Sequence, residues 1–360
     1  MLFVFEMANN HQGNVEHGCR IISDFAKLVK DNKITAAIKF QFRQLDTFIH
    51  NDFKKSDLKY VKRFNNTRLS IEDFRILANH AKSKGLLTMA TPFDNESLAW
   101  FPELDIDIVK IASCSSDDWP LLREVSKINR RIIISTAGIE FDTLDKVYNL
   151  FKKENRDFSL MHCVGEYPTP IEHSNLQRIK NMMERYEDVP VGISTHESPK
   201  QKSIVPYAVA MGCKIIEKHV GVETQDISLN AYSCQVSDMQ NVIDEVSFAL
   251  SAIEGSSNKE KVALRSLKRG IYFNKDLNEN HRISEEDLYY AMPLQEGQAS
   301  VAEIDQVIGK RIESFIKKDS KLMLSQCFTS KQVEAMQLIK QNAINLLKLA
   351  NVPIEDETRF

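Results

Sequence analysis

His196 and His219 each close a short apolar run in which a polar residue stands two positions earlier, Ser194 before His196 and Glu217 before His219. Along a strand, residues i and i+2 share a face, so the members of each pair point the same way. Two imidazoles at neighbouring strand ends can give a divalent metal two ligands and leave positions open for water and a substrate oxygen. A single histidine is more often a hydrogen-bonded rim or core residue, and it is the pairing that favours a metal. Lys39 and Lys110 also lie in apolar runs. A lysine on an inward face is costly to bury unless it meets an anion. This predicts a phosphate or carboxylate bound between the two, with the hydroxyls of Ser113, Ser135 and Ser194 completing the site. Ion pairing with Glu6 or Glu217 within the core is the equally weighted alternative. Glu6 is the expected general acid or base, kept ionised by a lysine or metal beside it.

Gln41 shares a face with Lys39, and Thr91 closes another apolar run. Asn9, Asn10, His11 and Gly13 form a turn-rich segment expected to cross the top of the fold. In Tyr167-Pro168-Thr169-Pro170 the prolines shape a loop, and Tyr167 can either shape it or touch a ligand. Arg43 and Arg63 can reach the site from a long connection, although surface placement is the default for arginine.

The elements that must position these residues are short β-branched or apolar runs at 2–6, 36–42, 86–91, 107–113, 131–136, 158–164, 190–195 and 214–220, with amphipathic segments between them. Eight strand and helix units in about 250 residues predict an α/β fold of the (β/α)8 TIM barrel type. The polar residues cluster at the C-terminal strand ends, the rim on which such barrels build their sites. The connection over 43–85 is long enough to cover that rim. The expected organisation is a barrel over 1–254, a polar linker over 255–264 (within EGSSNKEK and its flank), a second module of short strands and turns over 265–325, and a helical extension over 326–360.

Composition narrows the function further. Of 360 residues, 42% are hydrophobic and 27% charged, as in an ordinary globular protein, and a net charge of -3 from interspersed residues leaves no electrostatic footprint for nucleic acid. The six cysteines are scattered without a C-x-x-C pair, which fits a reducing compartment. No stretch approaches the roughly 18 apolar residues of a membrane helix, and the chain starts on a strand-like MLFVFE, so a cytoplasmic protein without membrane contact is expected.

Taken in order, FEMANNHQGN, IKFQ, ATPFD, VKIAS, ISTAG, YPTP, GISTH and EKHVG resemble the motifs of the sialic acid synthase family across essentially the whole barrel. RSLKRGIYFNKDLNENHRISEEDLYYAMPLQEG resembles that family's C-terminal antifreeze-like (β-clip) domain, to about residue 325. The resemblance implies addition of phosphoenolpyruvate, through its methylene carbon, to the aldehyde of an open-chain hexose, commonly an N-acylated one. The product is a nine-carbon 2-keto-3-deoxy acid, with release of phosphate. It implies Mn2+ or Mg2+ on His196 and His219. Lys39, Thr91, Lys110, Ser113, Ser135 and Ser194 match the phosphoenolpyruvate positions, and Glu6 the acid or base. Gln41, Tyr167 and Glu217 match residues around the acceptor sugar. A domain-swapped homodimer is implied as well.

Three positions depart from the pattern. Gly165, followed by Glu166, replaces an asparagine two residues before Tyr167; Asn230 replaces an aspartate after the second histidine; and Met292, before Pro293, replaces an arginine that contacts the N-acyl group. The acceptor therefore stays open among N-acetylmannosamine, its 6-phosphate, diacylated relatives and plain hexoses. A metal-dependent sugar aldolase or isomerase on the same barrel, and a non-catalytic binding barrel, are the competing readings.

Overall fold

The computed structural model describes residues 1–257, 259–328 and 330–349; the last part of the expected C-terminal extension, 350–360, lies outside the described residues. The chain divides into two compact units, Met1–Gly255 and Ser256–Phe360. In the first, eight parallel strands close into a barrel in sequence order: β1 (Leu2–Glu6), β2 (Thr35–Phe42), β3 (Leu87–Pro92), β4 (Ile108–Ile111), β5 (Arg131–Ser135), β6 (Phe158–Cys163), β7 (Val191–Thr195) and β8 (Ile215–His219), which pairs back with β1. The expected barrel is thus the observed one.

Side-chain alternation divides each strand between two cores. Phe3, Phe5, Ile38, Phe40, Val109, Ile132 and Ile216 face outward into the layer beneath the helices. Leu2, Val4, Ala37, Met89, Ile108, Ile133, Met161 and Ile215 pack together as a separate cluster that fills the barrel interior. Two residues further along the same faces stand Glu6, Lys39, Thr91, Lys110, Ser135, Cys163 and Glu217. An apolar floor therefore lies under a polar layer, and period-2 alternation makes both. Gly192 of β7 belongs to the floor's level, and a Cβ there would come within 2.7 Å of Ile215 Cβ and O, so β7 and β8 approach closely only without a side chain.

The helices start and stop on local signals. Asn14 caps Val15–Asn32 by accepting from His17 N–H, and Lys33 ends that helix in the left-handed region (φ 54°). A reciprocal Ser70–Asp73 capping box starts Ile71–Ser83. The 43–85 connection also carries the helix Lys59–Asn66. The largest shortfall from an expected strand run is at β4, which ends at Ile111, and Ser113 opens a 3-10 turn, Ser113–Ser115.

The second unit has two antiparallel pairs, β9 (Gly270–Phe273) with β10 (Leu288–Ala291) and β11 (Arg311–Ile312) with β12 (Cys327–Phe328), around Ile271, Phe273, Leu277, Leu288, Val307 and Leu322. A short helix, Lys259–Arg265, forms across the end of the stretch read as a polar linker, and Ser330–Leu349 is helical. Among the described residues, no helix is long and apolar enough to cross a membrane.

Candidate active site

The polar layer is one hydrogen-bonded network. Lys39 Nζ lies 2.7 Å from Glu6 Oε2 and 2.9 Å from Glu217 Oε2, and Lys110 Nζ lies 3.3 Å from Glu217 Oε1. Lys110 also donates to Ser135 Oγ (2.7 Å), Ser194 Oγ donates to Glu217 Oε1 (2.9 Å), and Gln41 Nε2 donates to Glu6 Oε1 (2.7 Å). What lies between the two lysines is therefore the Glu217 carboxylate. All four charged groups are almost fully buried. Such a cluster is stable only because each charge meets opposite charge and hydrogen bonds at once.

Electrostatics follow from this burial. Burial alone would raise Glu217, but Lys110 and Lys39 outweigh it and hold its carboxyl well below the usual carboxylate range. Lys39 is lowered to about 7, by burial first and by Lys110 beside it, with Glu217 opposing. Its charge is thus the labile one near neutral pH. Burial raises the thiol of Cys163, on the inner face of β6 beside this network.

At the mouth, the rings of His196 and His219 stand 5.3 Å apart between centroids. His196 Nδ1 lies 3.0 Å from the Val164 carbonyl, which can only accept, so Nδ1 carries the proton and Nε2 keeps its lone pair. His219 Nδ1 is buried without a hydrogen-bond partner. Burial lowers His196 to about 4 and His219 well below the ordinary value, so both rings are neutral. Two neutral imidazoles with free nitrogens suit a divalent metal. No group of three or more His, Cys, Asp or Glu is arranged to hold one among the described residues, so water and substrate oxygens would complete the coordination.

The other expected residues fall around this centre. Tyr167 lies on His196 (4.3 Å between ring centroids), its loop fixed by Thr169 N–H donating to the His196 carbonyl (3.0 Å). Thr91 is buried as the register partner of Gln41. Ser113 Oγ accepts from Ala137 N–H (3.1 Å), and Asn230 Oδ1 from Tyr232 N–H (3.1 Å). Asn10 ties the first loop to the end of β8 through the Val220 carbonyl (2.7 Å) and Ser233 Oγ (3.0 Å). Tyr232 went unread in the sequence, yet its ring stands 5.0 Å from His219, 6.0 Å from His196 and 5.3 Å from Tyr167. The available signal was its place two residues after Asn230. Cys163 was readable from the same alternation that placed Met161.

Comparison with known proteins agrees with this geometry. A family model described as the NeuB family matches residues 30–259. The chain is 30% identical over 283 residues to an uncharacterized protein of Methanocaldococcus jannaschii, covering 74% of this chain and 80% of that one. It is 27% identical over 310 residues to a pseudaminic acid synthase of Campylobacter jejuni, covering 81% and 87%. A crystal structure of a putative spore coat polysaccharide biosynthesis protein E from Chromobacterium violaceum superposes with a TM-score of 0.87 at 37% identity, covering 91% of this chain and 99% of that one.

Proposed function

This chain belongs to the NeuB family, the sialic acid synthases, and on that premise we propose that it condenses phosphoenolpyruvate with an open-chain aldose to a nine-carbon 2-keto-3-deoxy acid, releasing phosphate. The observation that carries this reading is the pair of buried lysines on one carboxylate, directly below two neutral histidines at the barrel mouth. An incoming phosphoenolpyruvate would compete with Glu217 for Lys39 and Lys110, with Ser113, Ser135, Ser194 and Thr91 as further donors. The methylene carbon bonds to the aldehyde carbon, whose oxygen takes up a proton and becomes a hydroxyl; water adds at C2 with loss of one proton, and the C2–O bond to phosphate breaks as the C2 hydroxyl gives up its proton and becomes the ketone. Glu6, in contact with Lys39 and Gln41, takes the proton from that water and returns it to a leaving oxygen. Gln41, Tyr167, Glu217 and Asn230 hold the acceptor's hydroxyls.

The free nitrogens of His196 and His219 fit Mn2+ or Mg2+, which when bound polarises the aldehyde oxygen as a Lewis acid. The reading extends to an antifreeze-like second unit, a domain-swapped homodimer and a cytoplasmic setting for carbohydrate biosynthesis.

The test is a panel of aldoses incubated with phosphoenolpyruvate and Mn2+ while phosphate is measured. Release that requires both substrates is expected, and its absence with every aldose sinks the reading. A His196→Ala, His219→Ala double variant is expected to lose bound Mn2+ and turnover together; unchanged metal content would remove these residues from the site.

One observation favours a second reading. Lys39 and Lys110 are already balanced by Glu6 and Glu217, so the network does not demand a bound anion. An aldolase or isomerase would use the same acid and histidines, and it would transform an aldose without phosphoenolpyruvate.

A further inference from the structure

The residues that flank the two histidines point the other way. Alternation sends Thr195 and Lys218 to the outer face of β7 and β8, two positions beyond Ile193 and Ile216 of the apolar layer beneath the helices. There Lys218 Nζ lies 3.1 Å from Glu197 Oε1, and both side chains are only 2% exposed. Ser203 Oγ adds a longer contact to the same oxygen (3.4 Å). Glu197 directly follows His196 in the chain, and Lys218 directly precedes His219. The parallel pairing of β7 with β8 ends at Thr195 and Lys218, so His196 stands just past the last backbone tie between these strands. The ion pair carries that tie one step further, from the outer side of the histidines. Apolar side chains of similar size would usually stabilise such a layer as well, so packing alone does not account for the pair.

The second oxygen of Glu197 meets a different requirement. A cavity of about 10 Å³ against His196 is lined in part by His162, Ser174, Thr195 and Glu197. All four are buried, and each carries a buried polar atom (Nδ1, Oγ, Oγ1 and Oε2 in turn) without a hydrogen-bond partner among the described residues. The Thr195 hydroxyl stands near the Glu197 carboxylate without completing a bond to it. His162 Nε2 meets the Ser174 carbonyl (2.8 Å), which can only accept, so Nδ1 keeps its lone pair. The orphaned set is therefore two acceptors and two hydroxyls. A single water, which donates twice and accepts twice, satisfies all four at once. The cavity also has the volume one water needs, roughly 10–15 Å³.

We propose that Glu197 is a positioning residue for the metal pair. Held by Lys218 on one side and by one ordered water on the other, it fixes the end of β7 so that His196 and His219 meet a single ion at a set separation. This rests on the reading of the two histidines as metal ligands and adds to it the groups that aim them.

The test measures Mn2+ affinity by calorimetry and the urea midpoint on the full chain. Glu197→Leu with Lys218→Met replaces the pair by apolar side chains of similar size. The midpoint is expected to stay near that of the wild type, while Mn2+ binds about 10- to 100-fold more weakly, the usual consequence of removing the support of a metal ligand. A pair with only a structural role would leave Mn2+ affinity unchanged, and any loss smaller than about tenfold overturns the proposal. If that variant fails to fold, Ser174→Ala with Thr195→Val decides, since it keeps the ion pair and removes both hydroxyls. Weaker Mn2+ binding by at least about threefold, the size of one hydrogen bond, is then expected, and a smaller loss overturns the proposal. A wild type that binds no Mn2+ sinks the metal reading by itself. Crystal structures of the wild type and the folded variant then decide the positioning role. A water bonded to all four groups in the wild type, with the two rings displaced by more than about 0.5 Å in the variant, supports it. A dry cavity or an unchanged ring separation overturns it.

Discussion

Glu217 in the barrel and Asp287 in the second unit are both almost fully buried carboxylates held by cations. Their partners differ in kind. Asp287 closes a capping box at the turn Glu285–Asp287, accepting from Ser284 N–H (2.8 Å) and Ser284 Oγ (2.9 Å), and its other partners, the Lys275 ammonium (2.7 Å) and the His281 ring (2.9 Å), are partly exposed. Its satisfaction is local and partly backbone-fed, as in a residue that fixes a turn. Glu217 accepts from side chains on β2, β4 and β7, and its two lysines are themselves buried. Side chains from separate strands can turn toward a substrate without undoing backbone structure. Burial and ion pairing alone do not mark a site; the provenance of the partners separates a structural carboxylate from one poised for exchange.

The sharpest attempt to break this comparison is Glu217→Gln. It leaves two buried lysines with one carboxylate, so stability should fall by about 3–5 kcal/mol, the usual cost of breaking a buried pair. Turnover in the folded protein should drop by roughly a thousandfold. Denaturant unfolding and phosphate release, measured on the same preparation, read both quantities. Turnover within a few-fold of wild type would make Glu217 a structural residue like Asp287.

Asp287→Asn tests the other side. Loss of its charge-assisted hydrogen bonds should cost about 1–3 kcal/mol of stability while kcat stays within about twofold. The wild type should also carry an acid dependence that the variant lacks. Burial would raise Asp287, but Lys275, Ser284 and His281 outweigh it and depress its folded pKa. The stability it contributes is therefore present above the ordinary carboxylate range and is lost as pH falls through that range and below. An identical acid limb in both proteins would remove Asp287 from this role.

A pH profile sharpens the contrast next. With Lys39 lowered to about 7 by burial and by Lys110, the free enzyme loses that charge above neutrality, so kcat/KM should fall about tenfold by pH 8. The sign for stability is opposite. The unfolded lysine titrates near 10.5, so between about 7 and 10.5 the unfolded state binds more protons, and this group alone makes stability rise with pH. A barrel that loses activity while this contribution to stability increases behaves unlike the Asp287 turn, where proton uptake only destabilises. A flat profile to pH 9 would show that Lys39 keeps its charge throughout.

Much of the site was legible because one rule, alternation with period two, governs every barrel strand. Once 36–42 and 214–220 are strands, Lys39 with Gln41 and Glu217 with His219 must share inward faces, and closure of β8 onto β1 brings Glu6 beside them. The same rule could not say whether the lysines would meet a ligand or Glu217, since that depends on side-chain reach across the interior. Ser113 was placed at a strand end and lies in a turn, because β4 stops where its pairing does. Loop residues obey no period. The packing of Arg43 against Phe64 and Phe93 joins residues up to 50 positions apart in sequence, and Tyr232 reaches the histidines from an irregular segment after β8.

Tyr232 gives the smallest expected effect and the finest test of where the site ends. Its ring meets His219 edge-on at 88° and Tyr167 at 5.3 Å, so it holds the imidazole's orientation without touching the network below. Contacts of this kind contribute about 0.5–1.5 kcal/mol. Tyr232→Leu should therefore weaken Mn2+ binding by about two- to tenfold, while KM for phosphoenolpyruvate, which the proposed function assigns to Lys39 and Lys110, should stay near wild type. If KM for phosphoenolpyruvate rose by the same factor, the mouth and the buried layer would be one coupled unit, and the division between a metal half and an anion half would not hold.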